Sequence, residues 1–181
     1  MSVIFQSASV RPGGRRRTRG FTIIELAVVV AVLAILAAVA VPGMIGLVNS
    51  NRLAGMTGDV TASIQLARSE AIRRSAPVTV CSSANGTTCS GSAAWNQWII
   101  IGEDNATGAI DIIRHETLTD DMQLSGPAGG IIFNSSGIAR SEQTLTVCLP
   151  TDRPAENQRA IRVLISGSII TTRSNGGGAC P

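Results

Sequence analysis

Hydrophobic and polar positions divide the chain into three regimes. Residues 26–41 are all apolar, and with residues 21–24 ahead of them the segment approaches the roughly 20 residues a bilayer requires. The apolar pattern continues to Val48, and Glu25 is the one charge within it. Its small Ala positions let neighbouring helices approach closely. Pro42 removes a backbone donor and clashes with the preceding turn, so a helix kink is expected there, with Gly43 and Gly46 adding freedom. From Asn49 the pattern turns polar, with apolar residues at Leu53, Met56, Val60, Ile64, Ala67 and Ala71. Those steps of three and four put one stripe on one helix face. Arg68, Arg73 and Arg74 fall off the stripe, and Glu70 is spaced to pair with Arg74. Pro77 ends the pattern. The spacing therefore predicts one helix over about 21–75, on the order of 80 Å at about 1.5 Å per residue.

Beyond Pro77 the period shortens to strand-like runs at 78–82, 95–102, 110–115, 130–133, 144–149, 159–166 and 169–173, separated by Gly, Asn, Ser and Pro. An all-β head on a long N-terminal helix follows, an α+β fold. The expected segments are a leader at 1–20, a membrane half of the helix at 21–48, an amphipathic half at 49–76 and a globular head at 77–181. At 181 residues the soluble part is long enough for one domain.

Charge changes the picture at the N-terminus. Five of the 15 basic residues, all Arg, lie in the first twenty positions with no acid, whereas the remaining 10 face 12 acids; +5 and −2 give the net +3. The pI near 9 is thus mostly a property of the leader and does not by itself argue for a nucleic-acid partner. Positive charge before the apolar run places the leader in the cytoplasm and the bulk of the chain outside. An ordinary secretory signal is the rival reading, with Ala38-Val39-Ala40 as its cleavage site. Glu25 within the apolar core and the continuation of apolar residues past Ala40 weigh against it. Four cysteines, Cys81, Cys89, Cys148 and Cys180, all lie beyond the apolar run and favour disulfides in an oxidising compartment. Cys81 and Cys89 flank an Asn-Gly loop and suit a hairpin staple, leaving Cys148 to tether the tail through Cys180; three pairings remain open.

A carboxylate inside a membrane-spanning helix costs about 2.5–3.5 kcal/mol and marks function by default. The junction Arg19-Gly20-Phe21-Thr22-Ile23-Ile24-Glu25-Leu26, followed by the apolar run and Pro42, resembles the amino-terminal signature of type IV prepilins and type II secretion pseudopilins. Asn51-Arg52-Leu53, Ala67-Arg68-Ser69-Glu70-Ala71, residues 78–81, Cys89 and residues 95–104 extend the resemblance to the FimT/GspH group of minor pilins and pseudopilins. That resemblance implies a type IV pilin-like fold, with the helix docked on a head of two small sheets. It also implies cleavage between Gly20 and Phe21 by a prepilin peptidase and N-methylation of Phe21. Glycine before the cut suits a backbone that must lie extended in a protease. Glu25, at the fifth mature position, would neutralise the Phe21 amine of a neighbouring subunit in a low-dielectric bundle and set its register. The implied partners are other minor pilins and the major pilin or pseudopilin, with inner-membrane lipid holding the single-pass subunit before assembly and the head in the periplasm.

No enzyme is expected. His115 is the only histidine and no nucleophile motif, phosphate loop or H-E-x-x-H accompanies it. The cysteine gaps contain no C-x-x-C pair, so no zinc site or other cofactor is expected. Trp95 and Trp98 are expected to fill the head core or its rim. Some minor pilins of the group take up DNA through a Gly-Arg-x-Arg motif, but here the nearest positions read Gly167-Ser168-Ile169-Ile170. Arg153, Arg159, Arg162 and Arg173 could still meet phosphates, although a solvated strand face is the preferred reading.

Overall fold

The computed structural model describes residues 20–104, 106–118 and 121–181, and the chain divides between Ala40 and Val41 into two compact units. Of the expected leader, all but Gly20 lies outside the described residues, as does Asn105 of the loop at 105–108.

Helix α1 (Ile23–Arg74) opens on Thr22, whose Oγ1 accepts the N–H of Glu25 at 3.2 Å and whose carbonyl accepts the N–H of Leu26 at 3.1 Å. Thr22 is thus the N-cap, and Glu25 sits in the first turn, where a negative charge suits the helix dipole. The other end closes on Ser75, which takes φ 52°. Its N–H bonds to the Ile72 carbonyl and that of Ala76 to the Ala71 carbonyl, a Schellman closure with serine in the place usually given to glycine. No single helix among the described residues is long and apolar enough to cross a membrane. The segments Ile23–Ala38 and Gly43–Arg74, separated by a break that contains Pro42, have the length and apolarity for it together.

Within the unit Val41–Pro181, eight strands follow: β1 (Val78–Ser82), β2 (Gln97–Glu103), β3 (Ile110–Thr117), β4 (Gln123–Ser125), β5 (Ile131–Phe133), β6 (Gln143–Cys148), β7 (Gln158–Val163) and β8 (Ile169–Ser174). They form two antiparallel four-stranded sheets, ordered β3-β2-β1-β5 and β4-β6-β7-β8. Seven strands match the sequence pattern, and β4 was not foreseen. It is three residues long with only Leu124 buried, too short to show an alternation. Trp95 does not begin β2. Its N–H bonds instead to the Leu124 carbonyl at 2.8 Å, and Ala94 bridges Ser125. The expected strand at 159–166 stops at Val163 because residues 165–167 turn: the Leu164 N–H meets the Ser168 carbonyl and the Gly167 N–H meets the Leu164 carbonyl.

The core joins all three layers. Leu53, Met56, Val60, Ile64, Ala67 and Ala71 are all buried, the full stripe that the three-and-four spacing marked. They share one cluster with Val78, Val80, Ile100, Ile131 and Phe133 of the first sheet and Leu124, Leu145, Val147, Ile161 and Val163 of the second. Burying each large aliphatic side chain contributes about 1.5–3 kcal/mol. Trp95 and Trp98 are buried in the same cluster, and the Trp98 indole N–H reaches Ser63 Oγ on α1 at 3.2 Å.

Candidate assembly surface

The N-terminal unit exposes what a soluble protein hides. Phe21 is 80 % exposed and Ile23 87 %, and Leu26, Val28, Val30, Val32, Leu33, Ile35 and Leu36 behind them are all exposed. Glu25, the one carboxylate in this surface, is exposed as well, and Gly20 precedes it outside the helix. In the second unit, Val41, Met44, Ile45, Leu47 and Val48 are exposed too. Apolar surface continuous around a helix is covered in service either by lipid or by other helices.

Past Asn49 the helix is held by its own chain. Asn49 Nδ2 donates to the Arg153 carbonyl at 2.8 Å. Near the helix end, the Arg68 guanidinium donates to three carbonyls: Gly137 (3.0 Å), Gly167 (3.2 Å) and Ser166 (3.2 Å). These belong to the turn after β5 and the turn between β7 and β8, so one side chain joins the helix to loops of both sheets. Both turns need glycine. Gly137 and Gly167 have φ of 74° and 78°, and a Cβ at Gly167 would lie 2.7 Å from Arg68 Nε. Glu70 bonds Arg73 and Arg74, and Arg74 reaches Asp111 on β3 at 2.9 Å. The hydrogen bond from Arg73, with that from Arg74, holds the Glu70 carboxyl down at about 2 against the opposing effect of burial.

Cys81 is bonded to Cys89, Cα atoms 5.6 Å apart, and Cys148 to Cys180 at 5.7 Å. The glycine tail is tied further: buried Asn157 donates to the Ala179 carbonyl at 3.1 Å and accepts the Gly176 N–H at 2.8 Å. His115 lies exposed on β3 with its Nε2 3.1 Å from Gln97 Oε1. No group of metal-ligating side chains occurs among the described residues.

The four arginines considered for DNA do not share a face. Arg159 is only 4 % exposed and gives its guanidinium to the carbonyls of Glu156 and Gln158. Burial lowers its pKa, as does neighbouring Arg173, while Glu156 opposes the shift. Arg173 stands opposite Arg159 in the β7–β8 ladder and lies 3.9 Å from Glu156. Arg162 is three positions on, on the other face of the sheet, ion-paired with Glu142. Arg153 is exposed in the loop before β7.

Sequence reasoning assigned no tertiary role to Arg68, Asp111, Asn49 or Asn157. Glycine preceded by serine in each turn, Ser136-Gly137 and Ser166-Gly167, was legible, but the carbonyl nest that Arg68 fills arises only when two distant turns meet. Asp111 in an exposed strand carried no signal at all.

A family model described as Type II transport protein GspH matches residues 57–168, and one described as the prokaryotic N-terminal methylation motif matches residues 15–41. No curated protein matches the sequence. Among solved structures the chain is similar to the type IV minor pilin FimU of Pseudomonas aeruginosa, with 18% identity, 68% of this chain and 90% of that one covered, and a TM-score of 0.52. It is also similar to the minor pseudopilin EpsH from the type 2 secretion system of Vibrio cholerae, with 17% identity, 64% and 92% covered, and a TM-score of 0.47. At such identity the likeness to FimU is one of fold, a long helix followed by an antiparallel head. The methylation motif and the family are those of membrane-anchored structural pilins, which are not enzymes. With its family model matched over more than half of its length, the chain belongs to the GspH/FimT family of minor pilins and pseudopilins.

Proposed function

We propose that this chain is a minor pilin of a type IV pilus, working with other minor pilins and the major pilin to prime or cap the filament. The observation that carries the reading is the helical surface of residues 23–38, exposed and apolar except for Glu25, its single charge. In this reading a prepilin peptidase cuts after Gly20 and the new Phe21 amine is methylated. The subunit waits in the inner membrane as a single-pass protein with its head in the periplasm. On assembly, lipid is exchanged for neighbouring helices. Glu25 then pairs with the amine of an adjacent Phe21, a pair that low dielectric makes necessary for both charges. Pro42 relaxes the helix where the apolar segment meets the head.

Replacing Glu25 with Ala tests this. The variant is expected in the membrane fraction, cleaved and methylated as the wild type is, yet absent from sheared filaments. Filaments carrying it at wild-type levels would refute the role.

The description of the matched family favours a second reading, a pseudopilin of a type II secretion machine built on the same chemistry. Deleting the gene and scoring twitching and surface filaments against secretion of exoproteins separates the two. A DNA receptor at the filament tip is the weakest reading, since Arg159 is buried and Arg162 is engaged by Glu142 on the opposite face. A gel shift with the purified protein that stays empty at low and moderate salt removes it.

A further inference from the structure

Four strands lie at sheet edges, β3 and β5 in the first sheet and β4 and β8 in the second. An open edge is a row of backbone groups ready to pair with another chain, and proteins blunt such edges with charges, bulges or covering segments. Three of the four are treated this way. β4 is met by residues 93–95, with the Gly126 N–H on the Ala93 carbonyl at 2.9 Å and the Trp95 N–H on Leu124. β5 is met through the Phe133–Ala139 bridge and the Arg140 N–H on the Ile132 carbonyl at 2.9 Å. β3 carries a register shift opposite Ile100 and Ile101 and the charges Asp111, Arg114 and Glu116.

Among the described residues, β8 has none of these devices. Its six residues pair with β7 in unbroken register, and Arg173 is its only charge. The tail beyond it turns back toward β6, drawn by Cys148 and Asn157, and so does not cover the outer side. Counting from the Leu164 N–H on the Ser168 carbonyl, antiparallel alternation turns the backbone groups of Ile170, Thr172 and Ser174 toward β7. Those of Ile169, Thr171 and Arg173 then point outward.

We propose that this edge receives an extended segment of a neighbouring pilin subunit by strand addition, extending the sheet β4-β6-β7-β8 across the subunit boundary. The inference rests on the assembly reading above and names where the heads join. The occupant is a polypeptide strand because the edge offers backbone donors and acceptors flanked by Ile and Thr, which suit a β partner. Nucleic acid and lipid headgroups need a cationic surface, and the one cation here already faces Glu156.

The test uses the full chain in cells that build the filament. Thr171→Pro deletes one outward N–H at an edge position where proline is tolerated, whereas Thr172→Pro deletes a ladder N–H and serves as the unfolding control. A photoactivatable residue at Thr172 reports the neighbour. The expected result is an adduct whose partner peptide, identified by mass spectrometry, comes from another pilin subunit. Thr171→Pro should leave the melting profile near that of the wild type and cut both adduct and filament incorporation at least about tenfold. Incorporation of Thr171→Pro at wild-type levels, or filament-borne chain that yields no pilin adduct, overturns the edge assignment alone. Absence of the unaltered chain from filaments overturns the assembly reading and this inference with it. If Thr171→Pro unfolds, the adduct from the otherwise unaltered chain decides.

Discussion

One helix carries two stretches that satisfy their apolar residues in opposite ways. In residues 23–38 and 43–48 the large side chains other than Glu25 are apolar and stand exposed in the isolated chain, so their burial has to come from outside, from lipid or from other subunits. In residues 49–74 most of the large apolar side chains are gathered into one stripe, Ile72 excepted, and that stripe is buried by strands of the same polypeptide. The charges differ likewise. Glu25 has no cationic partner among the described residues, whereas Glu70 holds two arginines. The head thus buries its apolar stripe within the chain while the N-terminal stretch leaves its own uncovered, and in the proposed reading that difference is what drives assembly.

That contrast can be broken in a graded way. Ile64→Ala, in the buried stripe, is expected to cost about 2–5 kcal/mol of head stability in denaturant titrations of the full chain in detergent. Leu33→Ala, in the exposed stretch, should leave the same titration unmoved while reducing filament yield. Equal destabilisation by both would erase the distinction. Arg68→Ala comes next. It strips the carbonyls of Gly137, Ser166 and Gly167 of a charged donor, and hydrogen bonds from a charged group are worth about 1.5–3 kcal/mol. Arg68→Lys should restore only part of this, since an ammonium lacks the fork that meets three carbonyls.

The smallest effect is that of pH. Glu70 is held at about 2 in the folded chain against an ordinary 4.5, so its contribution is complete above about pH 4.5 and is lost as pH falls toward 2. Its ion pairs are partly exposed, which limits the loss to below about 1 kcal/mol. Glu70→Gln should flatten this part of an acid titration followed by melting temperature.

Much of the fold was legible in the residues. The helix was placed within two residues at its start and one at its end, because Pro77 and the change of period are both local signals. Every apolar position expected in the stripe is buried, since a period of 3.6 gathers them on one face, whereas the buried polar Thr57 and Ser63 were not foreseen. The short β4 was not legible, for three residues do not make an alternation, and its single buried Leu124 looks like any loop leucine. Ser75 at positive φ was hidden as well, because serine announces no left-handed closure as glycine would.

The sequence by itself determined the division of labour: an apolar helical segment with one acid at a fixed distance from Gly20, an amphipathic continuation, and a β-rich head with four cysteines. These follow from periodicity and charge, which act between near neighbours along the chain. Only the tertiary structure decided which strands share a sheet, which turns meet over Arg68, which arginine is buried and which sheet edge stays open. Those outcomes depend on contacts between residues 30 to 100 positions apart, and such pairings are selected by the packing of the whole core.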